Sequence, residues 1–241
     1  MKRIKKNNPR PGCKDIWNAF MCKGARFTDF DIPFCPTILS SLPKEIITWS
    51  EAKQLHKKLI KTDKNYHYDA FICFYEDDNK FDGSRSSIWL YPWLLLRVLK
   101  HFRGIITPDF STNQDFPYPL TIWNTYRMRV IGYWIGTLGY EVINNVRWGT
   151  SESFLYCFSG IEKNSVIAIG TVGGSPKELA DRRRFEQGLL ELIKRLSPST
   201  ILVYGSSNYP CFDRLREIGI NIVTYKSATA KYYERRIDQN E

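Results

Sequence analysis

Short apolar runs of strand length alternate with helical stretches along most of this chain, and nearly every run ends in glycine or polar residues. The runs at 69–75, 104–107, 140–146, 164–169, 200–204 and 220–225 read as strands. Several are apolar on both faces, the pattern of strands covered on two sides. Between them, 86–102, 118–138, 151–158, 176–196 and 211–218 read as helices. Such alternation calls for a parallel sheet with right-handed crossovers. The expected fold class is therefore α/β, built as an incomplete or distorted TIM-like barrel. An open doubly wound sheet is the alternative, since periodicity alone does not separate the two. In either, the strand C-terminal ends share one side, where ligands bind.

The chain reads as a single α/β domain over 12–226, preceded by a flexible basic stretch (1–11) and followed by a charged, loose tail (227–241). Residues 12–48 are aromatic and proline-punctuated without a sustained period, which suggests an irregular layer packed on the main domain. Trp49-Ser50-Glu51 opens a helix to about Lys61, with Ser50 as the expected cap. The 86–102 helix tolerates Pro92 within its first turns. In the 118–138 helix, Ile122, Tyr126, Val130 and Trp134 recur on one face.

Charge narrows the partners. The chain carries 35 Lys and Arg against 25 acidic residues, a net charge of +10. The excess is concentrated in residues 1–26, in Lys53, Lys57, Lys58, Lys61 and Lys64, and in Arg182-Arg183-Arg184. Such clusters suit nucleic acid or a nucleotide, though basic faces also serve solubility. No apolar run approaches the roughly 20 residues that span a bilayer, and the basic N-terminus leads into no hydrophobic region. No membrane partner is expected, and the cytoplasm is the expected setting. The six cysteines include no CxxC pair, and His56, His67 and His101 have no metal-ligand spacing. Reduced, mostly buried thiols are expected rather than zinc or disulfides.

The strand ends supply the candidate chemistry. Glu76, Asp77 and Asp78 follow the first strand and Asp109 the second. On neighbouring strands these carboxylates lie roughly 5–10 Å apart. At that separation they can divide acid and base roles in glycosidic-bond cleavage or share a hydrated Mg²⁺. The alternative is a solvated turn, with Asp109 capping its own loop. Asn124 and Arg127, three apart on one helix face near Ser111, can orient a phosphate or base, or pair with Asp109. Arg147 beside Trp148 suits phosphate binding and base stacking, and Glu152 is a further acid–base candidate. Gly170-Thr171-Val172-Gly173-Gly174 before a helix can cradle an anion or merely make a tight turn. Ser111, Tyr204 and Ser206 complete the set of ligand-binding candidates. Tyr204-Gly205-Ser206 is not a GxSxG elbow, which disfavours serine-hydrolase chemistry.

Four stretches carry a resemblance: Asn18-Ala-Phe with Asp31-Ile-Pro33; Phe74-Tyr-Glu-Asp-Asp78; Pro108-Asp-Phe-Ser111 with Trp123-Asn124 and Tyr126-Arg127; and Ile167-Ala-Ile-Gly-Thr171 with Val203-Tyr-Gly-Ser206. Together they resemble the uncharacterised DUF4417 family, over about residues 12–226. The resemblance implies a phage, prophage or conjugative-element context in a bacterial host. It supplies no catalytic residue. The functional expectation is action on nucleic acid or a nucleotide, by hydrolysis or glycosyl transfer at the strand-end carboxylates. A non-enzymatic DNA-binding replication or transfer accessory, or an inhibitor of host defence, is the alternative.

Overall fold

The computed structural model describes residues 9–172 and 179–238. Seven parallel strands follow one another in sequence order: β1 (Ile46–Thr48), β2 (Tyr68–Cys73), β3 (Phe102–Ile106), β4 (Glu141–Asn145), β5 (Val166–Gly170), β6 (Thr200–Tyr204) and β7 (Asn221–Tyr225). A doubly wound sheet reverses its strand order at a switch point. This sheet never does, so the barrel-like expectation holds.

Alternating side chains explain the curl. One face (Ile72, Phe74, Ile105 and Val142, then Ile167, Ile169, Ile201 and Val203) packs against helices. The other face (Ile46, Phe71, Cys73, Tyr75, Ile106, Ile143, Ala168, Leu202 and Tyr204) packs only on itself and a few flanking residues. A sheet with an apolar face and no second layer to cover it must roll up to bury that face. The result is a curled half-barrel.

The helices are α1 (Trp49–Leu59), α2 (Asn79–Asp82), α3 (Trp93–Leu99), α4 (Tyr118–Thr137), α5 (Leu179–Leu196), α6 (Pro210–Glu217) and α7 (Ala228–Asp238). Several boundaries differ from the sequence reading. A seventh strand, β1, lies in the stretch read as irregular, its three residues too few to show a period. Thr48, not Ser50, caps α1: its side chain accepts from the Glu51 N–H while Glu51 reaches back, a capping box. The expected 86–102 helix is only α3, because Pro92 sets its start and Phe102 already belongs to β3. The 151–158 helix is a single 3-10 segment, Ser151–Leu155. The tail read as loose forms α7 instead.

That helix spans the gap between β7 and β1, which are not paired. Lys231 Nζ donates to the Ile46 carbonyl at 3.2 Å and lies 3.4 Å from a Glu45 carboxylate oxygen. Nearby, the Tyr225 hydroxyl donates to the Pro43 carbonyl at 2.6 Å.

The N-terminal segment is threaded into the sheet as well as laid on it. Ile38 and Val142 exchange backbone bonds of 2.9 and 2.8 Å, and Asn144 Nδ2 donates to the Cys35 carbonyl at 2.8 Å. β4 therefore pairs with β5 only at its end, through Asn144 and Asn145. Helix α4 is covered on both sides: inward by the sheet, outward by residues whose carbonyls accept from Tyr126 (Trp17) and Tyr133 (Lys23). Gly132 permits the inward approach, since a Cβ there would overlap the Thr107 and Cys35 side chains. Five of the six free thiols are buried, and Cys13 is exposed. Burial pushes Cys35 up to about 12, the behaviour of an inert thiol.

Candidate functional site

A cleft of about 510 Å³ opens at the C-terminal ends of β3, β4 and β5. Asp109, from the loop after β3, lines it and is only 8% exposed. Both its carboxylate oxygens are held. Asn145 Nδ2 donates to Oδ1 at 2.7 Å and Arg147 donates to Oδ2 at 2.6 Å. Asn145 and Arg147 stand two apart at the end of β4, so strand alternation turns both side chains to the same face. The Tyr75 hydroxyl donates to Asn145 Oδ1 at 3.0 Å, and Thr107 Oγ1 accepts from the Asn145 N–H at 2.9 Å. Asp109 raises the Arg147 pKa further above its ordinary value, which fixes that guanidinium as a cation.

Arg129 supports this arrangement from behind. It is fully buried on α4 and donates to the carbonyls of Asn145, Cys157 and Ser159 at 3.0–3.2 Å. Burial lowers its pKa to about 10. By binding both the end of β4 and the 157–159 turn, Arg129 fixes the segment that forms one wall of the cleft.

The other wall is Trp148 and α5. The Trp148 ring lies 5.3 Å from that of Phe185, and Gly188 leaves room for it: a Cβ at 188 would overlap the indole. Arg184 of α5 pairs with Asp181 and donates to Gln114 Oε1 at 3.0 Å. The 112–116 loop between β3 and α4 thus meets α5 across the cleft.

The remaining sequence candidates divide between the rim and the scaffold. Asp78 accepts from the Ser111 N–H and hydroxyl at 3.1 and 2.9 Å, beside Asp109 but outside the cleft lining. Burial raises its carboxyl pKa, the Ser111 bonds offset part of that rise, and Asp109 adds to it. Asp77 is exposed in the turn before α2, its carbonyl accepting from the Lys80 N–H. Glu76 turns away and accepts from the Ser50 N–H at 3.0 Å, at the positive end of α1.

Asn124 and Arg127 also serve the scaffold. Asn124 donates to the Ser111 carbonyl at 2.5 Å and accepts from Arg127. Arg127 pairs with Asp82 at 2.6 Å, not with Asp109, and lies 3.8 Å over the Phe110 ring. Thr171 donates to the Ser206 carbonyl at 2.8 Å, and Ser206 Oγ accepts from the Asn208 N–H. The Tyr204 hydroxyl accepts from the Ala228 N–H at 2.9 Å, and its ring stacks on Tyr75. Glu152 is exposed beside a smaller 70 Å³ pocket that adjoins the cleft. Gly173 lies outside the described residues.

Asn145, Tyr75, Asn113, Gln114, Asp115, Asp181 and Arg184 were not singled out as site residues from sequence. Asn144-Asn145, two amides ending an apolar strand, and the basic run Arg182-Arg183-Arg184 are the available signals. Among the described residues, no group of three His, Cys, Asp or Glu side chains could hold a metal ion. The Mg²⁺ expected from the carboxylate run would meet no more than two carboxylates among the described residues, a mode open to Mg²⁺ when ligand phosphates complete its shell. No helix among the described residues is long and apolar enough to cross a membrane.

A half-barrel of parallel strands with a polar cleft at the strand ends defines the class as barrel-like α/β. Within it, the chain belongs to the family described as domain of unknown function DUF4417, whose model matches residues 28–226. It is similar to the Gene 1 protein of Mycobacterium phage D29, 34% identical over 138 residues, which are 57% of this chain and 49% of that protein. It is also similar to the Gene 1 protein of Mycobacterium phage L5, 36% identical over 134 residues, 56% of each chain. The alignment thus spans about half the length of these phage relatives. No solved structure matches the chain.

Proposed function

We propose that this protein acts on a nucleotide or nucleic-acid element held in the strand-end cleft, by hydrolysis or glycosyl transfer, with Asp109 as the working carboxylate. The observation that carries this reading is the Asp109–Arg147 pair, 2.6 Å apart at the cleft of about 510 Å³. That volume lies in the range of small-molecule sites. Asp78, on the adjacent strand end, has its carboxyl pKa raised by burial and gives Asp109 the neighbouring carboxyl that divided acid and base roles require. Arg147 offers a fixed cation to a phosphate, and the Trp148 ring offers a stacking surface. The phage relatives favour a setting in the cytoplasm of a bacterial host.

The test is incubation of the purified protein with nucleotides and short oligonucleotides, with products read by mass spectrometry. Turnover by the wild type, lost in Asp109→Asn with cooperative unfolding retained, is the expected outcome. Binding without turnover in either protein would move the reading to a binding protein.

One observation favours that second reading. Lys57, Lys58, Lys61 and Lys64 are exposed on and after α1, away from the cleft lining. A DNA-binding accessory would use such a face. Its signature is salt-sensitive DNA retention that survives Asp109→Asn and is lost when these lysines are neutralised.

A further inference from the structure

Two arginines face the cleft in matched settings. Arg147 donates to Asp109 and, at 3.4 Å, to Oδ1 of Asn113. Arg184 donates to Asp181 and to Oε1 of Gln114. Each guanidinium has one carboxylate and one amide as acceptors, and the two amides come from adjacent residues of one loop. Asn113, Gln114 and Asp115 in that loop are exposed. A neutral amide is the weaker partner, because it offers a guanidinium neither an opposite charge nor a pair of oxygens for bidentate bonding. The Arg184–Asp181 pair is itself exposed, at 43% and 42% of the side chains, so it contributes little and leaves Arg184 able to take another partner.

We propose that Arg147 and Arg184 form a two-guanidinium seat for the terminal phosphate of a mononucleotide, whose oxygens replace the amide oxygens of Asn113 and Gln114. The planar guanidinium fork matches phosphate geometry. This assignment rests on the reading of the cleft as a nucleotide site and narrows it. Charge selects a mononucleotide over a strand. Among the described residues, two arginines, Arg147 and Arg184, meet three aspartates, Asp109, Asp115 and Asp181, so this charged lining is one unit negative while the chain is +10. A polyanion threaded through such a cleft meets net repulsion, whereas one phosphate can sit on the two cations. Ligand entry then releases the 112–116 loop from both arginines.

The test is calorimetric titration of the full chain with 5′-nucleoside monophosphates, the matching nucleosides, inorganic phosphate and a short single-stranded oligonucleotide. Wild type is compared with Arg184→Gln, with the double variant Asn113→Ala/Gln114→Ala and with Asp109→Asn. We expect monophosphates to bind at least roughly tenfold more tightly than nucleosides, and Arg184→Gln to lose about tenfold. The double variant should bind about threefold more tightly, because the competing acceptors are gone. Arg184→Gln should unfold at the wild-type temperature, as expected for an exposed side chain.

Equal affinity for nucleoside and monophosphate, or no effect of Arg184→Gln, overturns the phosphate seat. If nucleotides bind in that case and Asp109→Asn changes their affinity, the cleft reading stands. Inorganic phosphate binding as tightly as the nucleotide overturns the nucleotide assignment, and tighter binding of the oligonucleotide overturns the mononucleotide choice. Failure of every probe to bind overturns both this inference and the cleft reading.

Discussion

Tyr75, two residues beyond β2, donates its hydroxyl to the side-chain oxygen of Asn145 on β4, 3.0 Å away, reaching past the intervening β3. That bond leaves the Asn145 amide nitrogen to donate to Asp109, so the phenol sets which way the amide faces. Burial raises the Tyr75 hydroxyl well above its ordinary range, which keeps it a donor at any ordinary pH.

Tyr75→Phe leaves the Asn145 oxygen buried without its donor. The expected cost is about 1–2 kcal/mol of stability, together with weaker ligand retention in the cleft. Urea unfolding at neutral pH measures the first quantity. Unchanged stability would mean that the amide is oriented by Asp109 alone.

Gly188→Ala tests the cleft wall. The added methyl overlaps the Trp148 indole, so the ring must leave Phe185 or α5 must shift. Overpacking of this kind costs about 1–3 kcal/mol. A change in near-ultraviolet circular dichroism should accompany it. A wild-type spectrum and midpoint would mean that the wall yields without displacing the tryptophan.

Glu76→Gln tests the pH dependence. Burial raises the folded-state pKa of Glu76 above its ordinary value of 4.5, so the fold binds this proton more readily than the unfolded chain does. The carboxyl's contribution is therefore fully present at acidic pH and is lost as pH rises through the folded value. Glutamine keeps an acceptor for the Ser50 N–H and removes the titration. Relative to wild type, the variant should gain stability as pH rises above the ordinary carboxyl value of 4.5, read as the difference in Tm. A difference that does not change with pH would rule out this linkage.

Lys231→Ala tests the seam. It removes the donor to the Ile46 carbonyl and the contact with Glu45. Amide exchange in α7 and β1 should accelerate about fivefold, corresponding to about 1 kcal/mol of local stability, while α4 keeps its protection. Equal acceleration in α4 would show that the seam opens only with the whole fold.

The alternation of apolar runs with helices was legible because periodicity is a local property of the chain. It gave the sheet class, six of its seven strands and the side on which the polar strand ends gather. Strand β1 escaped because three residues carry no period. The tail escaped because its contacts, Lys231 with Ile46 and Ala228 with Tyr204, are made with distant parts of the chain.

The partner of each strand-end charge was decided only by tertiary structure. In sequence, Glu76, Asp78, Arg127 and Arg147 stand as equivalent candidates around Asp109. Strand parity and the curl of the sheet turn Arg147 into the cleft, while Arg127 is committed to Asp82 and Glu76 to the start of α1. Hydrogen bonds form between groups that the fold brings within 3 Å or so, and the sequence separation of those groups carries no trace of that distance. The alphabet of the site was readable from the sequence; the pairings that define its chemistry came from the curl of the half-barrel.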